Sequence, residues 1–217
     1  MSDQPFATAV SVTTTAVPRL RMRIFVDFWN FSLEIRRKDP NFRIDWKKIG
    51  PLLTAQAAAL VDQHSLPGFE GLHVYGSFDP AKANDAKLRN WFTNTLDKMP
   101  GVHVTLLERQ QKRGYPKCPI CQNEATNCAA CSADMRGTEE KGVDTRMVAD
   151  MISLAWANAY DSAILVSADR DFVPVADFLQ TKGIKVVHGA FPPKGSHLSQ
   201  RCWGSVNLTT LMPSFSR

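Results

Sequence analysis

An α/β fold, with a mainly parallel sheet of five to six strands and helices on both faces, is predicted by three observations. Short runs rich in Val, Ile, Leu and Phe alternate with longer amphipathic stretches from Arg21 onward. Each run has the four to eight residues of a strand. Acidic residues recur where the runs stop or the helical stretches begin, and in doubly wound sheets such positions converge on one crevice.

Residues 1–20 are rich in Thr, Ser, Ala and Val without a helical period, and are read as a tail rather than an added edge strand. Strands are expected at Met22–Asp27, Gly71–Phe78, His103–Glu108, Ser162–Ser167 and Lys185–Ala190. Between them, Asp45–His64 carries apolar residues close to an i, i+3, i+4 stripe, with Pro51 marking a break or the start of its main helix. Pro80–Met99 follows Asp79, an N-cap before a first-turn proline, and sets Leu88, Trp91, Phe92 and Leu96 on one face. Asp144–Ala159 and Asp171–Lys182 are the remaining helices, the second stopped by Gly183. The order β-α-β-α-β, an insertion, then α-β-α-β implies right-handed crossovers on both faces of the sheet.

The 217 residues suffice for one α/β domain with a small appendage. Hydrophobic content of 44% and charged content of 22% are those of an ordinary globular chain. A formal net charge of +5 permits a polyanionic partner without demanding one. No apolar run approaches the roughly 18 residues needed to span a bilayer, so no membrane partner is expected. The N-terminus has no basic and apolar leader, and a cytoplasmic setting follows as the expectation.

In such a setting, paired Cys-x-x-Cys motifs point to metal more than to disulfides. Segment 109–140 holds Cys118-x-x-Cys121 and Cys128-x-x-Cys131, six residues apart. Two such pairs complete a tetrahedral four-thiolate shell suited to structural Zn²⁺, with redox dithiols and an iron–sulfur cluster as the alternatives. The short spacer favours a compact knuckle-like loop. Its flank carries Arg109, Lys112, Arg113 and Lys117 around Tyr115, readable as a nucleic-acid grip or as a solvated hinge. The lone Cys202 reads as a small buried apolar residue.

Four acids stand out: Asp27 after Ile24-Phe25-Val26, Asp169 and Asp171 after Ile164-Leu165-Val166, and Asp144 at a helix start. Asp27 and Asp169 emerge side by side if their strands are neighbours at a switch point. Converging carboxylates without His or Cys suit a hard cation such as Mg²⁺ or Mn²⁺. Each acid alone also has a plain structural reading, and Asp144 in particular would serve as an N-cap. Asn30 adds a neutral oxygen ligand or an anchor for a phosphate. Lys141, Arg146 and Arg170 flank the acids as phosphate-holding candidates, with Lys82, Lys87 and Arg89 behind them. His188 and His197 are read as structural. Ser167 and Thr145 are read as turn formers or supporting partners rather than nucleophiles.

Phe25-Val26-Asp27-Phe28-Trp29-Asn30, Lys141-Gly142-Val143-Asp144-Thr145 and Ser167-Ala168-Asp169-Arg170-Asp171-Phe172 together resemble the NYN domain family, a branch of the PIN-like nucleases. The resemblance extends over about residues 21–210 and implies a Rossmann-like three-layer fold. Its halves would be 21–108 and 141–217, with the cysteine segment 109–140 inserted between them. It further implies a Mg²⁺- or Mn²⁺-dependent endoribonuclease, with Asp27, Asp144, Asp169 and Asp171 as metal-binding acids and Asn30 in support. RNA is then the expected partner, held by Lys141, Arg146, Arg170, Lys112 and Arg113. The cysteine insertion, absent from the plain family pattern, is expected to select substrate or to offer a surface for a protein or a second copy. Two alternatives stay open: a DNA or flap nuclease with the same metal site, and a non-catalytic RNA- or protein-binding module. A phosphatase of the haloacid-dehalogenase type would want Asp-x-Asp after the first strand, where this chain has Asp27-Phe28-Trp29-Asn30.

Overall fold

The computed structural model describes residues 17–217. The first half runs β1 (Arg19–Asp27), α1 (Phe28–Lys38), α2 (Trp46–Val61), β2 (Leu66–Phe78), α3 (Ala83–Trp91) and β3 (Val102–Glu108). A small ladder of β4 (Gln110–Gln111) and β5 (Thr138–Glu139) follows. The second half runs α4 (Val143–Trp156), β6 (Ser162–Val166), α5 (Val173–Thr181), β7 (Lys185–Ala190), α6 (Ser196–Arg201), β8 (Gly204–Asn207) and α7 (Leu208–Leu211).

The main sheet has six strands in the order β3-β2-β1-β6-β7-β8, every neighbouring pair parallel. The chain therefore winds outward from β1 in one direction, returns, and winds outward from β6 in the other. The crevice at strand C-termini lies between β1 and β6. Period-2 alternation splits the core into two layers. Ile24, Val26, Ile164 and Val166 face α1, α2 and the C-terminal turns, whereas Phe25, Ala163 and Leu165 face α4 and α5. All seven are essentially inaccessible, and a fully buried side chain of this size contributes roughly 1.5–3 kcal/mol.

Several boundaries differ from expectation. β1 starts at Arg19, because Arg19 and Leu20 pair with Leu66 and Pro67, so the expected tail loses its last two residues to the sheet. Residues 1–16 of that segment lie outside the described residues. α2 runs through Pro51 unbroken: this interior proline gives up one backbone hydrogen bond, the helix is held by its buried face of Ile49, Leu53, Ala57 and Val61, and Gly50 lets it press against the Phe69 ring. A Cβ at Gly50 would meet that ring at 2.8 Å. Asp79 caps no helix. It accepts from Ala81 N at 3.1 Å and from Thr138 Oγ1 at 2.9 Å, while α3 begins four residues later and ends in a π-helical turn, Phe92–Leu96. The expected 171–182 helix is split into a 3₁₀ turn, Arg170–Phe172, and α5. Helix α1 and the edge strand β8 were not anticipated. No helix among the described residues is long and apolar enough to cross a membrane.

Candidate functional site

Helix α1 begins where β1 ends, and this abrupt junction orients Asp27. Its carboxylate caps α1 by accepting Asn30 N–H at 3.1 Å, and Asn30 Nδ2 donates to its other oxygen. Ser167 Oγ donates to that same oxygen at 3.2 Å from the end of β6. The parallel register that sets Val26 opposite Val166 brings Asp27 to Ser167. Only 5% of Asp27 is exposed. Burial, above all, raises its pKa from the usual carboxylate range, and the charge of Glu140 adds to this against the hydrogen bonds of Asn30 and Ser167.

Asp169 sits two residues beyond Ser167 and caps the 3₁₀ turn by accepting Asp171 N–H at 2.9 Å. Its own N–H rests on Ser167 Oγ at 3.2 Å. Asp144 lies in the first turn of α4, which starts from left-handed Gly142 (φ +83°) without any side-chain cap. The carboxylate is therefore not spent as the N-cap that a plain structural reading would make of it. Its pKa is pushed up to about 6, first by burial, then by the negative charges of Asp27, Asp169, Glu140 and Asp171. The four acids thus share one electrostatic neighbourhood.

One residue of this neighbourhood escaped the sequence reading. Glu140 was assigned to the insertion, yet it borders the site and pairs with the Ser77 hydroxyl beside Arg109. Its signal was its position immediately before Lys141-Gly142-Val143-Asp144. His188 is fully buried: Nε2 donates to the Ser167 carbonyl and Nδ1 accepts from Ser199 Oγ, both at 2.7 Å. A carbonyl only accepts, which assigns the tautomer. The imidazole is structural, as expected, but what it holds is the turn carrying Ser167 and Asp169.

The candidate cations are dispersed. Arg146 is held by Asp150 at 3.0 Å, on the opposite side of the helix from Asp144 two residues earlier. Lys141 pairs with Glu139 at 2.8 Å, and Lys112 and Arg113 also act on that carboxylate, so the three gather at the stem of the insertion. Arg170 has no ion-pair partner among the described residues. It lines an open cavity of about 600 Å³ with Asp171, His197 and Gln200. Lys82 pairs with Asp79 at 3.6 Å, and Arg89 lies over the Phe78 ring.

The insertion folds as two matching turns. Cys118 N–H donates to Asn123 O at 2.9 Å and Cys128 N–H to Ala133 O at 2.8 Å, each turn passing through a left-handed residue, Gln122 or Ser132. Backbone N–H groups of Cys121 and Ile120 lower the pKa of the Cys118 thiol, and those of Ala130 and Cys131 do the same for Cys128. Among the described residues, no three His, Cys, Asp or Glu side chains are gathered tightly enough to hold one ion. The donor chemistry still fits: a carboxylate-and-amide set that runs from buried Asp27 through half-buried Asn30, Asp144 and Asp169 to exposed Asp171 for a hard cation, and thiolate-stabilising turns for a soft one.

The NYN domain model matches residues 21–204. A solved structure of a protein of unknown function from Vibrio parahaemolyticus has the same fold, with a TM-score of 0.50 at 16% identity over 90% of this chain and 96% of that one. No curated protein sequence matches the chain.

Proposed function

The chain belongs to the NYN domain family, and from that premise we propose that it is a metal-dependent endoribonuclease that hydrolyses RNA phosphodiester bonds. The observation that carries this reading is that Asp144 lies in the field of Asp27, Asp169, Glu140 and Asp171, with Asp27 buried beside Ser167 at the β1/β6 switch point. Such a concentration of like charge on rigid element ends raises the energy of the ionised acids, and a cation reverses the sign of that cost. Mg²⁺ or Mn²⁺ held there would lower the pKa of an attacking water and neutralise charge on the phosphate.

The chain's own residues supply orientation. Asn30 and Ser167 aim Asp27, the 3₁₀ cap aims Asp169, and the uncapped start of α4 leaves Asp144 free to bind. Arg170 holds the phosphate next to the acids, and Lys112, Arg113 and Lys141 hold the strand further along. Arg146, already matched by Asp150, contributes least of the five. In the insertion, Cys118, Cys121, Cys128 and Cys131 bind one structural Zn²⁺ that fixes the two turns.

Labelled RNA and DNA pools incubated with Mn²⁺ or Mg²⁺ test the reading. Wild type is expected to cut RNA, while Asp27→Asn and Asp169→Asn lose cleavage by at least about a thousandfold yet still bind. Binding without cleavage in wild type as well as in both variants would sink the nuclease assignment, and cleavage of DNA alone would replace its substrate.

A further inference from the structure

A cavity of about 830 Å³ lies apart from the acids and is not lined by them. It lies on the α1 side of the sheet, between α1, the start of α2 and the helical segment that ends β2's crossover to β3. Its walls carry Phe42, Trp46 and Trp91, and Trp46 and Trp91 pack with centroids 6.0 Å apart. Arg36, Lys47, Lys98 and Arg217 stand around it, exposed and without ion-pair partners among the described residues. The single acid on the lining, Asp45, is occupied as the cap of α2 and by Lys48 at 3.6 Å.

Two further features mark this cavity as more than a gap between helices. Ser32 on its lining is 4% exposed, and its hydroxyl has no hydrogen-bond partner; a buried hydroxyl without one carries a cost that a ligand's polar atom would remove. The opposite wall includes Asn94 and Thr95 of the π-helical turn, a rare geometry that recurs at functional sites. Aromatic faces, unpaired cations and adjustable amide and hydroxyl groups are what a nucleobase with its phosphate requires.

We propose that this cavity is a nucleotide-binding site separate from the acid cluster: Trp91 and Phe42 take the base, and Lys47, Lys98, Arg36 and Arg217 take its phosphates. The same chemistry serves a free mononucleotide or one unit of a strand whose cleaved bond lies at the acids. Neither source depends on the acids being catalytic.

The test is tryptophan-fluorescence titration of the full chain in chelator with 5′-mononucleotides, inorganic phosphate and a single-stranded oligoribonucleotide of about eight residues. A nucleotide is expected to quench fluorescence and phosphate alone to bind far more weakly. Lys47→Ala/Lys98→Ala, both exposed side chains, should weaken binding at least about tenfold and reduce the salt slope for the oligonucleotide by about 1.4. Trp91→Ala should weaken it by a similar factor. Mononucleotide binding identifies a free ligand, and oligonucleotide binding alone identifies a strand; both uphold the site. No binding of either, affinity unchanged in the lysine variant, or phosphate competing as well as a nucleotide would overturn it. Groove binding without cleavage by wild type would remove the nuclease reading and leave this one standing. Cleavage without groove binding would do the reverse.

Discussion

Asp144 shows at the scale of one residue how a site works against its own stability. Its folded pKa of about 6 lies above the roughly 3.9 of an unfolded aspartate, so the folded state holds the proton more tightly. The stability this group contributes is full below about pH 4 and lost as pH rises through about 6. Metal-free protein should therefore be less stable at pH 7 than at pH 5 through this group, and Asp144→Asn should abolish that difference. At pH 7 the variant should gain about 1 kcal/mol once solvent screening is allowed for, or roughly 2–4 °C in Tm by differential scanning calorimetry. A variant that melts at or below wild type would contradict the shared field of the acids. Asp27 separates charge from capping. Asn caps as well as Asp, so Asp27→Asn should keep α1 intact, whereas Asp27→Ala should lie about 1 kcal/mol below it in urea denaturation. Equal stability of the two variants would mean that the cap contributes nothing.

At the scale of elements, the insertion and the acid site are joined by a short stem. β4 and β5 close the cysteine segment, and β5 runs straight into Glu140, Lys141 and Asp144. Thr138 donates to Asp79, and Glu140 reaches Ser77, both across to the end of β2. With zinc bound at the two turns, Cys118→Ser or treatment with a strong chelator should lower zinc from about one per chain and open 109–140 to limited proteolysis. The far-UV circular dichroism of the sheet should be unchanged. Absence of zinc by metal analysis of purified protein, or iron-type visible absorbance, would remove the assignment. The elements also show where local rules fell short. Helix α1 is short and follows its strand without a loop, and its stripe of Phe28, Phe31 and Ile35 was legible but hidden behind the motif it contains. β8 has four residues, too few for a periodic signal. Pro51 misled because the buried face of α2 holds the helix together past the one hydrogen bond the proline gives up, and Asp79 because it found a partner 59 residues away in Thr138.

For the whole molecule, the two central strands are buried and lead directly to Asp27 and to the turn that carries Asp169. Ile164 on β6 is fully buried within the layer under α1 and α2. Ile164→Ala should cost about 3 kcal/mol in urea denaturation; a cost below about 1 kcal/mol would mean that this layer is loosely packed. A mainly parallel sheet with helices on both faces was legible in the alternation of elements; that β1 and β6 are neighbours, which the sequence left as a condition, was decided by the strand order. The residue types of the acid cluster were legible too, since oxygen donors at strand ends are a local pattern. Only the tertiary structure decided how each acid is used: that Asp144 is left uncapped, that Glu140 joins from the insertion, that His188 anchors Ser167, and that Arg146 is already matched by Asp150. These depend on contacts between residues far apart in the chain, where burial and neighbouring charge set the outcome and no spacing in the sequence records it.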